Sequence, residues 1–152
     1  MQLARSGFDI GLFSNAPAAQ LRFWQEEVGL AYDHLGKLGG GIHQHRHHLH
    51  GAILKMNAAR DPLPDLPPCG YRALRIASPS QADPRELRDP SGLPVTLVAP
   101  GHDGTRSVDL LMVVSSLDAH RRFYHEALGL PVCADGTVHV GDARLRVSAV
   151  QS

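Results

Sequence analysis

The sequence predicts an α+β fold built from a repeated strand–helix–strand–strand–strand unit, and three observations carry that expectation. First, residues 8–30 (FDIGLFSNAPAAQLRFWQEEVGL) and residues 108–130 (VDLLMVVSSLDAHRRFYHEALGL) align without a gap at an offset of 100, with seven identities in 23 positions. The identities are Asp9/Asp109, Ala19/Ala119, Arg22/Arg122, Phe23/Phe123, Glu26/Glu126, Gly29/Gly129 and Leu30/Leu130. A repeat of this length marks one supersecondary unit used twice. Second, each copy opens on a β-rich apolar run that lacks helical spacing. Third, each copy continues through several short β-rich runs separated by turn residues.

The opening runs, Phe8 to Phe13 and Val108 to Val114, read as buried strands. Asn15 or Ser116 then supplies an oxygen for the free N–H groups of a helix start, and Pro17 fits a first turn that needs no donor. Leu21, Trp24 and Val28 form an apolar stripe at i, i+3 and i+7; Leu117, Tyr124 and Leu128 are its counterpart, flanked by Phe123 and Ala127. Gly29 and Gly129 stand where a left-handed helix end is needed.

The first copy continues as strands over Leu30 to Leu38, Gly41 to His50 and Gly51 to Asn57. The second continues over Leu130 to Ala134, Thr137 to Val140 and Ala143 to Val150, with Asp135-Gly136 and Gly141-Asp142 as hairpin turns. Between the copies, Arg60 to Cys69 carries four prolines in ten residues and reads as a linker. Tyr71 to Ala77 and Leu93 to Val98 are strands, Ser78 to Arg88 holds at most a short helix, Asp89-Pro90-Ser91-Gly92 is a turn, and Pro100 to Thr105 is a second linker.

The 152 residues suffice for one ordinary domain or two small repeated units, and a compact chain of this size buries roughly 70% of its unfolded surface. Hydrophobic residues at 43% exclude a disordered polyampholyte. Fifteen basic and fifteen acidic residues cancel, which removes the electrostatic reason for a nucleic-acid or anionic-membrane partner. Ten histidines make that neutrality hold only near pH 7. Cys69 and Cys133 are too few for a disulfide framework and too far apart for a zinc pair, so a reducing cytoplasm is expected. No apolar run approaches the roughly 20 residues of a membrane helix, and the N-terminus has no secretory h-region.

The helix endings RFWQEEVGL and RFYHEALGL, with the Asp-Pro-Ser-Gly turn before VTLVAP, resemble the vicinal oxygen chelate superfamily: glyoxalase I, bleomycin-resistance proteins and extradiol dioxygenases. The resemblance runs from about Phe8 to Val150. It implies curved mixed sheets that form a cup with helices on the outer face, modules working in pairs, and a divalent metal (Zn, Ni, Fe or Mn) held by histidine on opening strands and carboxylate on closing strands. Residues 8–100 are then a pair of modules, the second degenerate over 71–98, and residues 106–152 a third. An odd module exposes a sheet edge, so a homodimer through the third module, or a chain shorter than its natural length, is expected.

Carried over by position, the family's ligands fall on Asp9, Tyr71, Asp109, Thr96, near Lys55 and about Arg146, so the usual ligands are not present. The run Gly41 to His50 offers instead His43, His45 and His47 on one face of a strand and His48 and His50 on the other. Imidazoles two residues apart can share a metal ion, so His43 and His45 are the metal candidates; a solvated or substrate-lining strand is the favoured alternative. His45, His47 and Asp9 are the catalytic candidates, and His43, Tyr32 and Tyr71 the substrate-binding ones. Asp9 and Asp109 also fit a structural role, pairing with Arg22 and Arg122. Absence of G-x-S-x-G, H-E-x-x-H and C-x-x-C excludes motif-based serine hydrolase, zincin and thioredoxin chemistry. The resemblance implies binding or transformation of a small organic molecule, as a lyase or isomerase if enzymatic. A non-catalytic antibiotic-sequestering protein and an extradiol dioxygenase-like metalloenzyme are the alternatives.

Overall fold

The computed structural model describes residues 2–65 and 70–150, so Cys69 and the end of the proline-rich linker lie outside the described residues. The chain divides into two units, residues 8–65 with 88–93, and residues 2–7, 70–87 and 94–150. No helix among the described residues is long and apolar enough to cross a membrane.

The first unit holds β1 (Ile10–Ser14), α1 (Pro17–Arg22, continued as a wider π turn over Phe23–Glu27), β2 (Tyr32–Gly39), β3 (Ile42–Leu49) and β4 (Ala52–Ala59). Its sheet runs β1-β4-β3-β2, with β1 parallel to β4 and the remaining pairs antiparallel. Ile10, Leu54 and Met56 are fully enclosed with Phe23 and Trp24 of the helix, which places the core where the apolar stripe predicts it. Asn15 does not cap α1. Its amide donates to the carbonyls of Ala59 and Asp61, and its oxygen accepts from Leu63 N. The Ser14 hydroxyl accepts from Ala16 N instead, so Asn15 secures the exit of β4 rather than the start of α1.

Gln20 shows why the Asp-Pro-Ser-Gly turn belongs to this unit. Its buried amide donates to Ser91 Oγ at 2.9 Å and to Asp89 Oδ2 at 3.3 Å, while its oxygen accepts from Trp24 Nε1. Asp89 in turn accepts from Ser91 N and Leu93 N. A buried carboxylate that gathers three donors locks the turn against the helix.

The second unit is a six-stranded sheet of order β6-β7-β5-β8-β10-β9. Its strands are β5 (Tyr71–Ala77), β6 (Arg85–Arg88), β7 (Pro94–Val98), β8 (Val108–Val114), β9 (Val138–Val140) and β10 (Ala143–Ala149). A short α2 (Leu117–Arg121), continued as a π turn over Arg122–Ala127, follows β8. Ser116 caps it, its hydroxyl accepting from Ala119 N. Residues 71–98 share backbone hydrogen bonds with the third module, β5 lying antiparallel to β8. The opening strands of the second and third modules thus meet edge to edge, which covers the edge of β8, while residues 88–93 of the second module group with the first unit.

Three local expectations also differ. Residues 85–88 form a strand where at most a helix was expected. Residues 102–104 form a 3₁₀ turn within the second linker. Leu130 to Ala134 makes only one isolated bridge, Val132 to Val138. Pro131 lacks a donor, and Arg121 takes the carbonyls of Cys133 and Ala134 that a strand would use.

The repeat is kept at the level of single hydrogen bonds. Phe23 O accepts from Val28 N and Trp24 O from Leu30 N; Phe123 O accepts from Leu128 N and Tyr124 O from Leu130 N. Gly29 and Gly129, at φ 84 and 69, take the left-handed conformation that ends both helices.

Candidate functional site

Strand alternation decides which candidates meet. On β3, His43, His45 and His47 project to the side that carries α1, because the fully enclosed His47 lies 3.2 Å from the Gln25 amide through Nε2 and 3.4 Å from Leu54 O through Nδ1. His45 Nδ1 lies 3.0 Å from Tyr32 Oη, and the Tyr32 ring packs edge-on to His47 with centroids 5.3 Å apart. Burial pushes the His45 and His47 imidazoles below their ordinary value, and His43 adds to the effect on His45. His43 lines a cavity of about 410 Å³ with Pro17, Gly41, Ala58, Ala59 and Arg60.

Asp9 stands on the opposite side. Its carboxylate accepts from Ile53 N at 2.9 Å and lies 3.2 Å from Lys55 Nζ. The structure thus joins Tyr32, His45 and His47 but separates them from Asp9. Tyr71 is at the start of β5 in the other unit, opposite Met112. The side that Asp9 and Lys55 share continues into Arg46, Gln44 and Asn57. Arg46 is the register partner of Lys55, and Gln44 of Asn57. Arg46 Nη1 donates to Gln44 Oε1, and Gln44 Nε2 donates to Asn57 Oδ1, each at 2.9 Å. Arg46 Nε is enclosed without a partner among the described residues. On the same strand His48 lies 3.2 Å from Asp33, whose other oxygen is 2.6 Å from His34 Nδ1. The His34 hydrogen bond holds the Asp33 carboxyl below its usual range. His50 falls outside β3, in the turn that follows it.

The second unit carries the same plan with a different outcome. Asp109 is fully enclosed, flanked in register by Arg75 of β5 and Arg144 of β10. Arg144 Nε donates to its Oδ1 at 2.9 Å, Arg144 Nη2 and Thr105 Oγ1 donate to its Oδ2, and Arg75 Nε donates to Thr105 Oγ1. The Asp109 hydrogen bond raises the Arg144 guanidinium above its usual value. Arg22 approaches Glu26, one turn along its own helix, while Asp9 lies beside Lys55 and Asp109 is held by Arg144. Both acids take a closing-strand cation instead.

Registers equate the two closing strands, since Ile10 faces Leu54 while Leu110 faces Leu145. Lys55 therefore corresponds to Arg146, and Ile53 to Arg144. Because Arg144 takes Asp109, Arg146 is left to line a cavity of about 190 Å³. Its walls are Arg72, Leu111, Met112, Asp135, Thr137, Arg146, Val147 and Ser148. Asp135 accepts from Thr137 N at 2.9 Å, and this bond, with Thr137 Oγ and the nearby Arg146, lowers its carboxyl.

These residues do not fit the divalent metal that the resemblance implies. Lys55 and Arg144 already hold the opening-strand acids Asp9 and Asp109, the closing-strand positions carry Lys55, Arg146 and Thr96, and His43 and His45 lie across the sheet from Asp9. Among the described residues no three His, Cys, Asp or Glu side chains converge as a ligand set. Sequence reading did not single out Gln44, Arg46, Asn57 and Arg146, the polar side chains on this side of the strands, as binding candidates. Their polar alternation with Leu54, Met56, Leu145 and Val147 was the available signal.

No family model and no curated protein matches the sequence. Among solved structures the chain is similar to a glutamate-to-glutamine variant of glyoxalase I from Zea mays, with a TM-score of 0.71 and 10% identity, over 98% of this chain and 70% of that one. A Bacillus subtilis protein of unknown function, grouped with glyoxalase/fosfomycin resistance proteins, matches at a TM-score of 0.44 and 13% identity, over 61% and 88% of the two chains. A hypothetical protein from Bacillus halodurans matches at 0.35 and 8%, over 99% and 97%. With the repeated module, its sheet order and the glyoxalase I superposition together, the chain has the fold of the vicinal oxygen chelate superfamily.

Proposed function

We propose that the protein binds a small organic molecule on the side of its sheets that faces away from the helices, and that it does so without a metal. One observation carries this reading. The opening-strand acids where the resemblance implies a metal are held by internal ion pairs, Asp9 with Lys55 and Asp109 with Arg144, while polar side chains stand on that side of the first sheet and a cavity with Arg146 in its wall opens in the second unit. A site of this kind holds a ligand by hydrogen bonds and apolar contact. Sequestration or carriage therefore suits it better than Lewis-acid polarisation of substrate oxygens, which needs open metal positions. A lyase or isomerase step would need a base, and Asp9, tied to Lys55 and to Ile53 N, is a poor one.

The test is metal analysis of untagged protein before and after dialysis against EDTA, with a thermal-shift screen of small aldehydes, keto acids and catechols at both stages. Ligand binding to the native state raises the midpoint by mass action, and the rise is expected to survive chelation. Stoichiometric metal whose removal abolishes every shift would overturn the reading.

The third module is also proposed as a homodimer contact. Phe123 is 52% and Leu117 40% exposed on α2, while Phe23, the counterpart of Phe123, is 2% exposed. Sedimentation of the wild type against Phe123→Glu checks it; a monomer in both would remove the contact.

A further inference from the structure

We infer that the cavity lined by Arg72, Leu111, Met112, Asp135, Thr137, Arg146, Val147 and Ser148 is a binding site for a short aliphatic carboxylate. The inference rests on the small-molecule reading above and names the chemical class of its ligand. Size comes first. About 190 Å³ equals roughly six waters at ~30 Å³ each and falls below the roughly 300–1,000 Å³ of pockets for drug-sized compounds. The ligand is therefore a compact metabolite rather than a large antibiotic.

Charge comes second. Two guanidinium groups, Arg72 and Arg146, stand in the wall with one carboxylate, Asp135. Asp135 accepts from Thr137 N at 2.9 Å, with Arg146 nearby. The buried acid of β8, Asp109, has both oxygens engaged by Arg144. Guanidinium is always charged and presents a planar fork that matches a carboxylate. The Thr137 and Ser148 hydroxyls add hydrogen-bonding capacity, and Leu111, Met112 and Val147 provide an apolar wall for a short alkyl chain. The repeat supplies an internal comparison: Lys55, at the position equivalent to Arg146, is taken by Asp9.

Titration calorimetry of the full chain with butyrate, butan-1-ol and butylamine tests this. Butyrate is expected to bind with a dissociation constant on the order of a millimolar, as six heavy atoms allow, and to weaken as salt is added. Arg146→Met is expected to reduce its affinity about tenfold or more, the usual effect of losing a charged hydrogen-bond partner, while Lys55→Met leaves it unchanged. Circular dichroism confirms that each variant is folded, and Arg72→Met provides a second reading should Arg146→Met fail to fold. Equal or tighter binding of butylamine or butan-1-ol overturns the assignment, as does butyrate affinity that follows Lys55 rather than Arg146. Thermal shifts by neutral carbonyl compounds that persist in Arg146→Met also overturn the carboxylate class, yet leave small-molecule binding standing. Absence of any ligand response in the wild type removes both.

Discussion

Asp109 presents both carboxylate oxygens to Arg144, its register partner on the adjoining parallel strand, and does so with none of its surface exposed. One module earlier, Asp9 reaches Lys55 instead, and that pair is partly open to solvent. The same acid in the same place therefore makes a buried bridge once and a surface-accessible one once. The difference traces to Ile53, which stands where the second copy has Arg144 and offers no charge.

Asp109→Ala is expected to destabilise the protein by about 3–5 kcal/mol, because it removes the acceptor that both the half-buried Arg144 and the buried Thr105 hydroxyl use. Lys55→Ala is expected to cost less than about 1 kcal/mol, as for other partly exposed pairs. Urea unfolding of the two variants checks the ordering; equal costs would deny that burial separates the two bridges.

Acid is expected to weaken the fold in two separate ranges. The imidazoles of His45 and His47 sit below their ordinary value of 6.5 in the folded state, chiefly through burial. The unfolded chain therefore binds more protons just below that pH, and stability falls as pH drops through 6.5 and levels off below the folded values. Asp33 and Asp135 are shifted below 3.8, so their contribution is present above that value and is lost as pH falls through the folded one. Both carboxylates are solvent-screened, which keeps the second loss small. His47→Gln should flatten the first range in a series of unfolding curves; an unchanged slope would show that other groups control it.

Asp89→Ala is expected to cost about 1–3 kcal/mol, since it removes the acceptor for Ser91 N, Leu93 N and the buried Gln20 amide at once. Gln20→Ala should couple to it rather than add, because the two share a hydrogen bond. A double-mutant cycle in urea measures the coupling, and strict additivity would deny the link.

Cys133 is exposed, with its sulfur 3.2 Å from His139 Nε2. An adjacent imidazole can accept a thiol proton as the sulfur attacks. In a Cys69→Ser background, iodoacetamide at pH 7 is expected to alkylate Cys133 several-fold more slowly after His139→Ala. Identical rates would show that the imidazole does not assist.

The duplication could be read directly in the amino acids, because Phe23 and Phe123, Gly29 and Gly129 serve local needs: a wide helical turn and a left-handed cap require the same residue types wherever they occur. The strands of the histidine run were legible for the same reason, since alternation is a property of the chain itself. The sequence also determined which side chains on β3 share a face. What it left open was what each face meets. Only the tertiary structure turned His47 toward Gln25 and the core, set Asp9 across the sheet from it, and brought β5 beside β8. Those outcomes depend on long-range register, and the pairing of Asp109 with Arg144 rather than Arg146 shows how it decides: a shift of two residues along β10 separates a structural bridge from a guanidinium that lines a cavity.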